Sequence, residues 1–385
     1  MRQKGDRLRH WVRKLHLWLG LGFGGLLVLL GLTGSILAFY PEIDAFLHPE
    51  IRVEGSGPPD WDRALATVRA AYPDKDGPWR FEVADQPGAI PARYYDPPER
   101  AGHAFRPMMV WVSPDGGAVL RRDYWGEYAM TFIYDLHYRL LLGEKGGKVL
   151  GWLGFALLAL LLSGLWAWWP RIWSRGSWSK ALRVKRGAPP QRALRDWHKL
   201  TGLTGLAFLL ILTVTGIMLE LPDESDAALG AIGLPVDHPP HVHEQAAQTS
   251  ISRVIPPSKA IETALVQLPG ARLAWIETPP ASGGTYRLRM QVPGDPSFRF
   301  PHSFVWVDGA TGEALAVQDA REAASGSAVN NWVHPLHDGS AGGLAGRILA
   351  ALTGFVPFIL FVTGLMRWRT RSIAKAQGQG QAKKA

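Results

Sequence analysis

The sequence predicts an α-helical membrane protein: four transmembrane helices arising from an internal duplication, with two α+β domains outside the membrane. Three observations predict it. Long stretches lack charge, basic residues crowd beside them, and the two halves of the chain match each other. Hydrophobic residues make up 47% of the 385 positions and charged residues 19%. The charge is segregated, because Leu15–Pro41, Val149–Pro170, Leu200–Leu219 and Ile348–Met366 contain none. Each stretch has about the 20 apolar residues that cross a hydrocarbon core as helix. The first is longer than the apolar core of a signal peptide, about 7–15 residues, and reads as a span.

Orientation follows from the flanks. Residues 1–15, 170–199 and 367–385 hold 21 of the 42 Lys and Arg, against the two acids Asp6 and Asp196. Short basic flanks stay cytoplasmic. The expected order is therefore a cytoplasmic N-terminus (1–15), span one (16–41), an outer domain (42–148), span two (149–170), a basic cytoplasmic loop (171–197), span three (198–220), a second outer domain (221–345), span four (346–367) and a cytoplasmic tail (368–385). The membrane is expected to be the bacterial inner membrane, with both large segments periplasmic. The net charge of +9 is then a topology signal and gives no case for nucleic-acid binding. The chain has no cysteine, which excludes disulfides, thiolate metal sites, Cys-ligated iron–sulfur clusters and c-type haem attachment.

The duplication appears when the sequence is slid on itself. At an offset of 182, His16 falls on His198, Gly20 on Gly202 and Thr33-Gly34 on Thr215-Gly216. At an offset of 200, His137 falls on His337, Gly154 on Gly354, Ser163-Gly164 on Thr363-Gly364 and Trp168 on Trp368. The repeated unit is helix, outer domain, helix; an even number of spans makes the copies parallel, about an axis along the membrane normal. Outside, "WDRALATVRAAYP" (61–73) and "SKAIETALVQLPG" (258–270) predict amphipathic helices, and "TYRLRMQV" (285–292) alternates as a strand does. "VWVSPDGGAVL" (110–120) resembles "VWVDGATGEAL" (305–315), which reads as strand, Gly-containing turn, strand.

The repeat singles out four histidines. His16 and His198 open spans one and three at the cytoplasmic face; His137 and His337 precede spans two and four at the outer face. Each pair is placed to meet across the repeat axis. A single histidine at a helix end is usually an interfacial polar residue. Two symmetric pairs, without Cys, point instead to two b-type haems, each iron held by two axial imidazoles. Zinc usually takes three or four protein ligands close together. The small pairs fit that scheme: Gly34 and Gly216 lie roughly 27 Å along the helix from His16 and His198, at the outer side. Gly164 and Gly364 lie near the cytoplasmic face. They are expected to flank the outer and inner haems respectively, although close helix packing by small residues explains them equally. His334 is a rival ligand three residues before His337. Asn330, Asn331 and Trp332 beside it are candidates to line an outer pocket. The stretch "DHPPHVHE" (237–244), with His241 and His243, reads as a metal- or substrate-contacting loop or as a plain polar, Pro-rich one.

Together, "HLWLGLGFGGLLVLLGLTGSILAFYPEID", "WHKLTGLTGLAFLLILTVTGIMLELP", "DLHYRLLLG", "SGLWAWWPR" and "TGLMRWRTR" resemble the PepSY-associated transmembrane-helix family over nearly the whole chain. Within it, the likeness is to inner-membrane ferric-siderophore reductases of the ferrioxamine type. That resemblance implies PepSY-like periplasmic domains, two haem b groups and reduction of siderophore iron. The expected partners are the lipid bilayer, a ferrioxamine-like ferric siderophore, and an electron donor such as quinol or a separate reductase. No Gly-rich dinucleotide fingerprint is present. Two other classes stay open: a non-redox PepSY-type binding or regulatory protein, and a siderophore permease. The spans lack the mid-membrane charges that transport sites usually show.

Overall fold

The computed structural model describes residues 2–55, 57–83, 88–100, 106–169, 182–238, 240 and 254–382. In chain order the helices are α1 (Arg2–Leu37), α2 (Tyr40–Leu47), α3 (Trp61–Ala71), α4 (Ala129–Arg139), α5 (Gly143–Trp168), α6 (Pro190–Glu220), α7 (Pro222–Ala231), α8 (Pro257–Gln267), α9 (Ser325–Asp338), α10 (Gly343–Gly354) and α11 (Val356–Ala382). The strands are β1 (Trp79–Glu82), β2 (Ile90–Tyr94), β3 (Met108–Val112), β4 (Val119–Tyr124), β5 (Arg272–Glu277), β6 (Thr285–Gln291), β7 (Ser303–Asp308) and β8 (Ala314–Gln318). The chain divides into two compact units, one of residues 1–38, 146–221 and 336–385 and one of residues 39–145 and 222–335.

The first unit is helical. Among the described residues, four segments are long and apolar enough to cross a membrane: Arg7–Leu37, Gly143–Trp168, Pro190–Glu220 and Ser340–Ile373. They correspond to the four expected spans, with two differences. The first helix ends at Leu37 rather than continuing to 41. The fourth span is not one helix but two, α10 and α11, parted at Phe355. Two residues place the break. Pro357 has no N–H to give to a continuing ladder. Gly354 lies so close to Gly31 and Ser35 of α1 that neither glycine has room for a Cβ. Ser35 Oγ reaches across to the Ala351 carbonyl at 2.7 Å. The close crossing and the interrupted ladder occur at the same turn, as is usual for kinked helices.

The second unit is built on one antiparallel sheet of order β4-β3-β2-β1-β5-β6-β7-β8. Two separate α+β domains were expected; the structure has a single sheet. Four strands from each half join where β1 pairs with β5, through Arg80↔Glu277, Phe81↔Ile276 and Glu82↔Trp275. The physical reason is the edge. Each four-stranded half would leave an unpaired row of backbone groups at β1 or β5, and pairing them removes both edges. Helices α3 and α8 cover one face, and a single core runs beneath them through Val68, Trp79, Phe81, Val110, Ala264, Ile276, Tyr286, Leu288 and Val305. Burying each large side chain there stabilises by about 1.5–3 kcal/mol. The element order helix, four strands, helix occurs twice along the unit. Both predicted hairpins form, β3–β4 and β7–β8, and the two predicted amphipathic helices are α3 and α8.

Candidate functional site

His16 lies on α1 and His198 on α6, each near the start of its span. The helical unit brings the two rings together, with centroids 6.3 Å apart and planes at 78°. Each ring rests on a hydroxyl-glycine dipeptide of another helix. His16 Nδ1 lies 3.2 Å from Ser163 Oγ and 3.1 Å from the Leu160 carbonyl of α5. His198 Nδ1 lies 2.9 Å from Thr363 Oγ1 of α11. A Cβ on Gly164 would stand 2.9 Å from His16 Cε1, and one on Gly364 3.5 Å from His198 Cε1. The small residues were expected to clear space for a cofactor. They clear space for the imidazole edges themselves.

These hydrogen bonds fix the tautomer. A carbonyl oxygen only accepts, so His16 Nδ1 carries a proton and donates it to Leu160. Thr363 Oγ1 sends its own proton back to the Ile359 carbonyl at 2.7 Å, and Ser163 Oγ sends its to Leu160 at 2.9 Å. Serine and threonine in helices bond back this way, and what remains toward the ring is an acceptor lone pair. Both histidines are therefore Nδ1–H donors, and Nε2 keeps the basic lone pair that binds a metal. Asp196, two residues before His198, is no partner for its ring. It is buried instead among Arg192, Arg195 and Lys199, at 3.3–3.7 Å.

The spacing tests what such a pair can hold. With metal–imidazole bonds of about 2 Å and about 1.1 Å from nitrogen to ring centre, two imidazoles facing across one ion have centres about 6 Å apart. A direct N–H···N hydrogen bond would bring them to about 5 Å. The observed 6.3 Å leaves room for an ion between the rings, and is also the spacing of an edge-to-face ring pair. Among the described residues no group of three or more His, Cys, Asp or Glu is placed to hold a metal ion. Two imidazoles with no further ligand among the described residues suit haem iron better than structural zinc.

His337, in the last turn of α9, has the same kind of seat. Its Nδ1 lies 3.0 Å from Thr215 Oγ1 of α6, whose proton goes to the Ile211 carbonyl at 2.6 Å, and a Cβ on Gly216 would stand 3.2 Å from His337 Cε1. Thr33, before Gly34, also turns its hydroxyl back, to Leu29 at 2.7 Å. His137 sits in the last turn of α4. His334 stacks on Phe300 at 4.1 Å. The repeat register had favoured His337 over His334, and a dipeptide seat is found at His337.

The other candidates separate. Asn331 is buried, and its Oδ1 accepts from His302 Nδ1 at 2.6 Å, while Asn330 donates to Asp226. Burial, and then Arg289, hold the His302 imidazole below its ordinary pKa. Trp332 is exposed. In the His-rich stretch, His238 lines a surface pocket of about 270 Å³ with Asp237, Val317 and Glu322. His241 and His243 lie outside the described residues. What the sequence reading missed was the seat: the match of each small dipeptide to one imidazole was visible only as a shared repeat offset.

Long apolar helices whose polar side chains turn inward to seat imidazoles define a helical, multi-span membrane protein. The chain matches the PepSY-associated TM region over residues 13–371 and belongs to that family. No curated protein matches the chain significantly.

Proposed function

We propose that the protein is a haem b-dependent reductase of the bacterial inner membrane, which carries electrons across the bilayer to a ferric siderophore outside and releases its iron as Fe²⁺. The observation that carries this reading is the pair His16 and His198, whose centroids are 6.3 Å apart with both Nδ1 atoms engaged by helix hydroxyls. His337, seated in the same way, is the position for a second haem. Parallel duplication places these sites toward opposite faces, with both termini and the basic loop inside. His16 and His198 would hold the haem, which would supply one-electron redox chemistry there.

The residues of the chain do the rest. Nε2 of each histidine offers the lone pair. Ser163, Leu160, Thr363 and Thr215 keep the Nδ1 protons in place, so the ligands need not exchange protons as charge passes. The uncharged spans exclude water and fix the depth of each ring. Ferric iron in the chelate takes up one electron, and Fe²⁺ is a poorer match than Fe³⁺ for hard oxygen ligands, so it is released. The donor is a quinol, oxidised to quinone, or a separate reductase.

The test is the visible spectrum of the protein purified after expression with ample haem. The expected result is a low-spin b-type spectrum and roughly two haems per chain. A protein that stays colourless overturns the reading and leaves a non-redox binding role for the family fold.

A further inference from the structure

The face of the sheet opposite α3 and α8 carries a second constellation. Cross-strand register sets Arg93, Arg80, Glu277 and Arg287 in one row across β2, β1, β5 and β6. The next row, across β1, β5, β6 and β7, is Glu82, Trp275, Arg289 and Phe304. Strand alternation sends Phe81, Ile276, Leu288 and Val305 to the core on the other side. The guanidinium groups of Arg80, Arg287 and Arg289 stand 4.3, 5.0 and 5.5 Å from the Trp275 ring centre. Arg289 is also 4.9 Å from Phe304 and 5.7 Å from Phe300, and Arg93 is 5.1 Å from Trp125.

Charge on this face does not balance. Glu82 Oε1 lies 3.2 Å from Arg80 and 3.4 Å from Arg93, and Glu277 bonds Arg287 at 3.0 Å. Among the described residues, Glu82 and Glu277 pair with Arg80, Arg93 and Arg287, while Arg289 has no ion pair and feels Asp295 and Glu82 only at longer range. The Nε atoms of Arg80, Arg93, Arg287 and Arg289 are all buried without a hydrogen-bond partner. Burial raises the Glu82 carboxyl, but Arg80, Arg93, Arg299 and Arg289 outweigh it and hold Glu82 below its ordinary pKa. Burial, then Arg80 and Arg287, push Arg289 down to about 10. Arg121, on the same face, differs in charge: it meets three acids, Asp123 at 2.5 Å, Asp44 at 3.5 Å and Glu50 at 3.8 Å, although its Nη1 and Nη2 are also buried without a hydrogen-bond partner. A buried cation without enough anions costs stability, and unpaired buried donors need an explanation.

We propose that this arginine–aromatic face binds the ferric chelate, and that the chelate is anionic and aromatic: iron held by catecholate oxygens. This rests on the reductase reading for the nature of the ligand. A ferric ion with three catecholates is a trianion with flat rings on its outside. Guanidinium planes recognise both properties, by charge-assisted hydrogen bonds and by stacking. A ferric hydroxamate of the ferrioxamine type is neutral or cationic and would leave the excess arginines unmet. Arg287, 42% exposed, offers the accessible end, and Arg80 and Arg93, 12% and 14% exposed, lie deeper.

The test uses the full chain, oxidised and without any electron donor, in nanodiscs of zwitterionic lipid. Equilibrium dialysis measures binding of ferric tricatecholate, a neutral ferric tris-hydroxamate and inorganic phosphate. Tricatecholate is expected to bind at least about 10-fold more tightly than the other two, with affinity falling as salt rises. Arg287→Gln and Arg289→Gln should each weaken it about 10-fold or more, and Arg287→Lys less. The melting curve and helix content of each variant identify any that has not folded; Arg287, the more exposed, carries the test if Arg289→Gln does not fold. Equal affinity for the hydroxamate, full competition by phosphate at equal affinity, or unchanged tricatecholate binding in the folded variants would overturn the proposal. Tricatecholate binding by a colourless protein would sink the reductase and keep the site, whereas a red protein that prefers hydroxamate would do the reverse.

Discussion

His16 and His198 are held by repeat-equivalent dipeptides in different ways. In the first half the fit is steric and the hydrogen bonding is redundant: Gly164 leaves 2.9 Å for a Cβ, and Nδ1 has both Ser163 and the Leu160 carbonyl. In the second half the fit is looser: Gly364 leaves 3.5 Å, Thr363 Oγ1 lies 2.9 Å from Nδ1 as the closer acceptor, and the Leu360 carbonyl is the further one. One task, orienting an imidazole so that Nε2 is left free of the seat, is done mainly by shape in one copy and mainly by a hydroxyl in the other. A duplicated sequence keeps the requirement and lets its means drift.

Substitutions break or sharpen this contrast. The largest effect is expected from His198→Ala, which removes one of the two axial ligands and should eliminate one low-spin haem from the spectrum while leaving the other. Retention of both signals, and of donor-driven ferric reduction, would make His198 an interfacial polar residue. Next comes Thr363→Val, which removes the closer acceptor of the His198 N–H and leaves the Leu360 carbonyl. Loss of such an outer partner typically weakens metal binding by about 10–100-fold, and haem titration of the apoprotein should show it. An unchanged titration would mean that the Leu360 carbonyl suffices.

Gly164→Ala should rank third. A Cβ at 2.9 Å obliges His16 to shift, so the spectrum of that haem should broaden and its affinity should fall by several-fold, while Gly364→Ala at 3.5 Å is ordinary contact and should be nearly silent. If the two alanine variants behave alike, the steric half of the comparison is wrong. The smallest effect among the hydroxyl changes is expected from Ser163→Ala, because Leu160 still accepts the proton. Melting should change by less than about 1 kcal/mol, within the range of one neutral hydrogen bond.

Much of this was legible in the sequence. Charge-free runs mark the spans because lipid tolerates little else. The paired "VWV" segments mark hairpins because alternation and turn glycines are local signals. The fusion of two sheets was not legible: β1 and β5 pair across nearly two hundred residues, as Arg80↔Glu277 shows, and strand alternation carries no partner identity. The interruption at Phe355 was missed because hydropathy does not register Pro357 inside an apolar run. The repeat singles out the histidines, and register alone favours His337 over His334. Their seats were not found, because a Ser-Gly or Thr-Gly pair reads the same whether it packs against a helix, a cofactor or a ring. The arginine face was half visible: "TYRLRMQV" shows the alternation of Arg287 and Arg289, but the row they form with Arg80 and Arg93 exists only after the two halves join.

The distribution of the seats also sets a timetable for assembly. The chain emerges from the ribosome N-terminus first. His16 finds Ser163 and Gly164 as soon as α5 has followed α1 into the bilayer. His198 must wait for Thr363 and Gly364 on α11, the last helix to be made. The two-ligand pocket therefore closes at the end of synthesis, when the final span docks. Nascent chains hold only half of it, and a product cut short before α11 is left with one oriented imidazole.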